Sequence, residues 1–290
     1  GGDVVRIGLC SPDESYFASG SLAAPAIMFT ASHNPAAYNG MKLSRAGAQA
    51  MSLDTGLAAI RDRAVEHLAS GIPEADARGT IVDRDVLADY ASLLRSLVDL
   101  SGIRRLKVVV DAANGMGGLT VPAVLGTAAG LPALPIEVVP MYFELDGTFP
   151  NHEANPLEPK NLVDLQAAVV QHDADLGLAF DGDADRCFVV DEHGAAVSPS
   201  AISAIVALRE VRRVQALGET DVVVLHNLIS SRFVPETIVA AGATPVRTRV
   251  GHSLIKAEMA RTNAVFGGEH SAHYYFRDFF GADNGMLAAM

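Results

Sequence analysis

Short apolar runs rich in β-branched residues recur along the chain, at 4–9, 26–30, 106–112, 136–141, 176–180, 187–191, 221–226 and 244–248. Their length and composition predict strands. Amphipathic stretches lie between several of them. In 85–100, Leu87, Tyr90, Leu94 and Leu97 fall on one helical face. Residues 161–171 begin at Asn161, a candidate N-cap, and turn Leu162, Leu165 and Val169 inward. Residues 199–217 and 252–262 also read as helices. This alternation predicts an α/β chain with largely parallel, helix-covered sheets. Breaks near Ser101-Gly102 and at Glu192-His193-Gly194 divide it into 1–101, 102–192 and 193–290.

Composition narrows the function classes. The chain has 290 residues, 49% of them hydrophobic, enough to bury a large core in two or three domains. A net charge of −12 argues against a nucleic-acid or anionic-membrane surface, so any anionic substrate must meet locally concentrated basic residues. No apolar run approaches a membrane span, and no basic-then-apolar leader opens the chain. Cys10 and Cys187 form no disulfide framework, and Cys187 is expected to pack behind the acidic loop described next. A reduced, cytoplasmic setting is expected. The Gly-Gly start and the stop at Met290 lead us to expect a fragment.

In "LAFDGDADRCFVV" (178–190), Asp181, Asp183 and Asp185 occupy every second position between apolar runs. Such residues share one side of an extended segment, and a tight loop through Gly182 and Ala184 also turns all three inward. Carboxylate oxygens are hard ligands, and a divalent ion such as Mg²⁺ cancels their mutual repulsion. A solvated acidic hairpin competes, but fits three carboxylates against apolar strands less well. A calcium EF-hand fails because its sixth position is Arg186 rather than Gly, although Glu192 stands at the twelfth.

Phosphate chemistry then directs attention to "FTASHNPAAYNGMKL" (29–43). Ser32 follows a strand, where a hydroxyl is exposed as a nucleophile. His33 and Asn34 can donate to oxygens around it, and Lys42 can hold a phosphate or move a proton. An ordinary Ser-Asn turn is the competing account. In "GGEHSAHYYFRD" (267–278), Glu269, Ser271 and His273 alternate on one side of an extended segment, a row suited to neighbouring sugar hydroxyls. Upstream, "RTRVGHS" (247–253) gathers Arg247, Arg249 and His252, which alone read as a solvated basic face. Neither a G-x-S-x-G elbow nor a P-loop is present.

The three stretches, in this order, resemble the α-D-phosphohexomutase superfamily, and within it the bacterial phosphomannomutase/phosphoglucomutase group. "TASHNP" resembles the phosphoserine loop, "DGDADR" the metal loop, "GEHSAH" the sugar-binding loop and "VGHS" the loop before it. The resemblance implies successive mixed-sheet α/β domains with helices on both faces: a partial phosphoserine-loop domain (1–101), a metal-loop domain (102–192) and a sugar-loop domain (193–290). The opening strand with its Arg- and Tyr-bearing loop, and the C-terminal phosphate-binding domain, are not seen. Ala272 stands where many relatives have Gly. His270 occupies a variable position where phosphoglucosamine mutases tend to have Gln, which ranks that activity lower.

The resemblance implies an enzyme that interconverts hexose 1-phosphate and hexose 6-phosphate, of mannose or glucose, through a hexose 1,6-bisphosphate. Ser32 would carry the phosphoryl group, with Mg²⁺ held by Asp181, Asp183, Asp185 and a phosphoserine oxygen. Arg186 and Lys42 would sit near that group. Lys42 would move the proton, with His33 or His252 as alternatives. Glu269 and Ser271 would hold the sugar hydroxyls, His273 and Arg247 would steer phosphate, and His252 would also belong to the substrate-binding set. A monomer or homodimer without nucleic-acid or membrane partners is expected. The rivals are a phosphatase using the same serine, a phosphoglucosamine mutase, and a non-catalytic sugar-phosphate-binding relative. "FPNHEANP" (149–156) also resembles a family loop but is assigned no chemistry.

Overall fold

The computed structural model describes residues 2–290, apart from the side chains of His252 and Ser253. Three groups of strands and helices follow one another along the chain. The first comprises β1 (Val4–Arg6), α1 (Pro12–Ser21), β2 (Ala26–Phe29), β3 (Met41–Arg45), β4 (Gln49–Ala50), α2 (Ala58–Ser70), β5 (Ile81–Asp83) and α3 (Leu87–Leu97). β1 pairs in parallel with β5, while β2, β3 and β4 form a separate antiparallel sheet.

α1 has no hydrophobic stripe, and its start is set by chemistry instead. Ser11 Oγ accepts from Glu14 N, Glu14 Oε2 accepts from Ser11 N, and Pro12 occupies the first turn. Asp13, Glu14, Ser15 and Ser19 are buried alongside Tyr16 and Phe17. Ser19 shows why a polar residue is tolerated there. Its hydroxyl accepts from Ala48 N and contacts the carbonyls of Ala24 and Arg45, satisfying backbone groups that the short sheet leaves open.

The second group runs through β6 (Leu106–Asp111), α4 (Gly117–Val124), β7 (Ile136–Met141), α5 (Val163–Gln171), β8 (Leu176–Phe180), β9 (Cys187–Asp191) and β10 (Ala196–Val197). Its sheet has the order β10-β9-β8-β6-β7, parallel across β8-β6-β7 and antiparallel across β10-β9-β8. The third group has α6 (Pro199–Ala216), β11 (Val223–Asn227), α7 (Phe233–Ala240), β12 (Thr244–Thr248), α8 (His252–Thr262), β13 (Phe266–Gly268), β14 (Tyr274–Phe276), β15 (Ala282–Asp283) and α9 (Gly285–Ala289). It repeats the plan, with order β12-β11-β13-β14-β15 and antiparallel pairing beyond β13.

Each of these two five-stranded sheets is therefore mixed rather than largely parallel. The loops decide this. A parallel pair needs a crossover of a dozen residues or more, whereas 181–186 and 269–273 are too short to join anything but antiparallel neighbours. A second correction concerns Asn161. It lies buried in a 3₁₀ turn at 159–162, its Nδ2 donates to Asn155 O at 2.9 Å, and the α-helix starts after it at Val163.

Buried aliphatic and aromatic side chains such as Val109, Phe180, Val190, Val224 and Phe266 run continuously from the second group into the third. Tyr90 on α3 ties the first group to the third. Its hydroxyl donates to Asp13 Oδ2 at 3.2 Å and accepts from Asn284 Nδ2 at 3.4 Å, and its ring meets Phe17 and Phe279 edge-on. No helix among the described residues is long and apolar enough to cross a membrane.

Candidate active site

The acidic triplet occupies the turn between β8 and β9, where Ala184 N donates to Asp181 O at 3.0 Å. Ala184 takes a left-handed backbone, φ 65°, which costs a non-glycine residue about 1–2 kcal/mol. All three aspartates are buried, with their carboxylate oxygens within 4.8 Å of one another. They are not the alternating side of an extended strand. The tight turn brings them inward.

Ser32 follows β2, also at a left-handed φ of 55°. Thr30 holds that conformation: its Oγ1 accepts from Ser32 N at 2.8 Å and donates to Asp183 Oδ2 at 2.9 Å. Ser32 Oγ then lies 3.3 Å from Asp181 Oδ2 and 3.1 Å from His33 Nδ1. The two loops touch through backbone as well. A Cβ on Gly182 would stand 2.5 Å from Ser32 O, so only glycine lets them approach this closely. Asn34, expected to donate toward Ser32, instead turns its Nδ2 back to Ala31 O at 2.8 Å.

Lys42 on β3 reaches the same cluster, with Nζ 2.9 Å from Asp183 Oδ2 and 2.5 Å from Asp185 Oδ2. Burial would favour its neutral form, but Asp185 and Asp183 outweigh it and raise the ammonium well above its usual range. Asp185 shows the reciprocal effect: against its burial, Lys42 and His273 hold its carboxyl well below the usual carboxylate range. For Asp181 burial wins and pushes the carboxyl up to about 7, opposed by Arg186. Arg186 is itself buried, with Nε and Nη2 each 2.8 Å from Asp181 Oδ2 and its backbone N on Oδ1 at 3.1 Å. His33 is held below its ordinary value by burial, then by Arg186.

Among the described residues, Asp183 Oδ1 is buried with no hydrogen-bond partner. The donor set is hard oxygen from three converging carboxylates, and a lysine ammonium already lies against two of them. These features fit an oxygen-preferring divalent cation such as Mg²⁺. The site opens onto a groove of about 920 Å³ between β1 and β2 that reaches Ser32 and Asp183.

Glu269, Ser271 and His273 arrive from the turn between β13 and β14 rather than from an extended strand. Glu269 N donates to His273 O at 3.0 Å, closing the turn, and Ala272 takes φ 65°, the conformation a glycine accepts without cost. His273 Nε2 lies 3.5 Å from Asp185 Oδ1, and Nδ1 lies 3.0 Å from Ser271 Oγ. Burial works against the charged ring, but Asp185 and Asp283 raise it above its ordinary value. Glu269 is buried, gripped by Asn227 Nδ2 at 3.3 Å and Tyr275 OH at 2.8 Å. Arg247 lies exposed on β12, opposite His226 in the ladder. The expectation for the His252 side chain falls outside the described residues.

Sequence reasoning missed Thr30, Asn227, Tyr275 and a buried group beneath the 181–186 turn. There Lys256 Nζ lies over the Tyr16 ring, 3.4 Å from its centre, and 3.9 Å from Asp283 Oδ1. Thr30 was legible beside Ser32. Asn227 ends a strand, as active-site residues of α/β sheets often do. Lys256 carries no local signal, because its burial comes from α1 packing against it.

Three family models match the chain: phosphoglucomutase/phosphomannomutase alpha/beta/alpha domain I over 1–66, domain II over 88–194 and domain III over 198–290. A phosphohexose mutase of Xanthomonas campestris pv. campestris is 43% identical over 289 residues, covering 99% of this chain and 61% of that protein. A phosphomannomutase of Escherichia coli K12 is 38% identical over 292 residues, covering 99% and 62%. A crystal structure of a phosphoglucomutase/phosphomannomutase family protein from Burkholderia thailandensis superposes with a TM-score of 0.85 at 30% identity, covering 99% of this chain and 60% of that one. The chain thus spans about three fifths of the length of the relatives it matches.

Proposed function

We propose, since the chain belongs to the phosphoglucomutase/phosphomannomutase family, that it carries the phosphoserine, metal and sugar loops of a hexose-phosphate mutase. The reaction interconverts hexose 1-phosphate and hexose 6-phosphate, of mannose or glucose, through a hexose 1,6-bisphosphate. The observation that carries this reading is Ser32 Oγ at 3.3 Å from Asp181 Oδ2, beside a buried carboxylate triplet.

Mg²⁺ held by Asp181, Asp183, Asp185 and Ser32 would supply charge compensation for a phosphoryl group on the serine. The rest belongs to the side chains. The Ser32 Oγ–phosphorus bond breaks as a sugar hydroxyl oxygen bonds to phosphorus, and the hydroxyl proton departs. Lys42 is the first candidate to receive it, with His33 and His252 as alternatives. Asp183 and Asp185 keep Lys42 protonated while their charge faces it, so it accepts a proton only when that charge is otherwise balanced. Arg186 fixes Asp181 from behind and adds positive charge.

Glu269 and Ser271 accept and donate to the sugar's hydroxyls in both orientations that a mutase must bind. Asn227 and Tyr275 hold the Glu269 carboxylate still for that task. His273 and Arg247 steer phosphate. The test is to incubate the chain with glucose 1,6-bisphosphate and map phosphate by peptide mass spectrometry. Phosphate on Ser32, absent from Ser32→Ala, and hexose 6-phosphate formed with little free phosphate are expected. Phosphate on another residue would contradict the nucleophile, and free phosphate as the main product would make the chain a phosphatase.

A further inference from the structure

The segment 149–156 takes no part in the chemistry above, yet it touches the metal loop. Gly182 N donates to Ala154 O at 3.2 Å, and Gly182 O accepts from Met116 N at 2.9 Å. A Cβ at 182 would stand 3.3 Å from both Ala154 Cβ and Phe149 Cζ. Gly182, the residue between two of the three carboxylates, is therefore held between this segment, the 112–116 turn and the Ser32 backbone.

His152 anchors the segment. Its Nε2 lies 2.9 Å from Asp111 Oδ2, and its Nδ1 lies 2.9 Å from Glu153 O. Both ring nitrogens face acceptor oxygens, an arrangement that only the doubly protonated ring satisfies fully. Asp111 is buried at the end of β6, and its second oxygen accepts from Ala113 N at 2.8 Å. Ala113 opens the turn that delivers Met116 N to Gly182. A further tie runs from Asn151 Nδ2 to Asn114 Oδ1 at 2.7 Å. One carboxylate thus organises both segments that grip Gly182.

We propose that the His152–Asp111 pair is a positioning clamp, an imidazolium on a buried carboxylate that fixes the backbone around Gly182 and so aims the Asp181 carboxylate at Ser32 and the Asp183 carboxylate at Thr30 and Lys42. Its effect on the loop stands alone, and its consequence for cation affinity rests on the metal-loop reading above. The groups facing the ring are Asp111, Glu153, Asp164 and Tyr142. Tyr142 packs edge-on to the ring and donates to Asp164 Oδ2 at 2.9 Å, while the Glu153 side chain turns to Lys160 at 2.9 Å. The Asp111 bond raises His152 above its ordinary 6.5 against the pull of burial. The sign follows: the clamp is complete below about pH 6.5 and is lost as pH rises through the higher folded-state value.

Hydrogen exchange of the Gly182 amide tests the clamp without a metal. At pH 7, His152→Ala and His152→Gln are expected to exchange at least about tenfold faster than wild type, with Mg²⁺ affinity by calorimetry weakened about tenfold, as for other outer-shell partners. Wild-type exchange, corrected for intrinsic rate, should approach the variants' as pH rises, while the variants stay flat. Unchanged Gly182 exchange in the variants would overturn the clamp. So would a His152 ring titrating below 6.5 by NMR in wild type, a readout that needs no variant to fold. Faster exchange in the variants with no Mg²⁺ binding to wild type would uphold the clamp and sink the metal reading instead.

Discussion

Lys42 Nζ stands 2.9 Å from Asp183 Oδ2, a contact made across 141 positions of sequence. Together with the bond to Asp185 it neutralises part of a buried triplet that would otherwise be strongly repulsive. Lys42→Ala removes that compensation. Breaking one partner of a buried ion pair costs about 3–5 kcal/mol, and a cation that binds only the folded chain restores stability by mass action. Urea unfolding without metal should show a loss near the low end of that range, with much of it recovered in excess Mg²⁺. A variant as stable as wild type without metal, and unmoved by Mg²⁺, would contradict the expectation.

Lys256 offers a pH signature from a group that is not itself part of the carboxylate triplet. Its side chain is 4% exposed, and burial pulls its ammonium down to about 8, opposed by Asp283. In the unfolded chain a lysine keeps its proton to about pH 10.4. Between those values the unfolded state binds more protons, so stability should rise with pH, by on the order of 3 kcal/mol at most. Below about pH 8 both states are protonated and this contribution is flat. The Tyr16 ring face favours the charged form and reduces the effect. The difference between wild type and Lys256→Met in urea melts from pH 7 to 10.5 should carry this slope. A pH-independent difference would mean that Lys256 stays protonated throughout.

Gly182 has no positive φ, so an objection to alanine there is purely steric. The added methyl would meet Ser32 O at 2.5 Å and force the two loops apart. Gly182→Ala should cost about 1–3 kcal/mol, as overpacking does, and weaken Mg²⁺ binding. Wild-type stability and affinity together would show that the loops need not touch.

Much of this was legible in the chain because regular packing writes a regular pattern. Strands 136–141, 176–180, 187–191 and 244–248 and helix 252–262 have the expected bounds. Tyr90 and Leu94 are fully buried on the face that their spacing predicts, with Leu87 and Leu97 packed at its edges. Elements whose inward side is polar were not legible. α1 buries Asp13, Glu14, Ser15 and Ser19, and only its first turn, the Ser11–Glu14 capping box with Pro12, marks it. β13 to β15 are too short for alternation to register, and β3 turns the polar side chains of Lys42 and Ser44 inward. Spacing suggested that Glu269 and His273 share one side of a strand. A turn brings them together instead, with Ala272 in a conformation its side chain disfavours. The Lys256–Asp283 pair arises from tertiary burial alone.

The central claim places a divalent cation between Ser32 and the triplet, and anomalous scattering from Mn²⁺ bound to the crystallised chain addresses it most directly. The account predicts a single strong peak bounded by Asp181, Asp183, Asp185 and Ser32 Oγ, with Lys42 moved off the carboxylates. Asp185, His273 and Asp283 form a second group able to hold an ion. A peak there alone, or none near Ser32 at saturating Mn²⁺, would contradict the account.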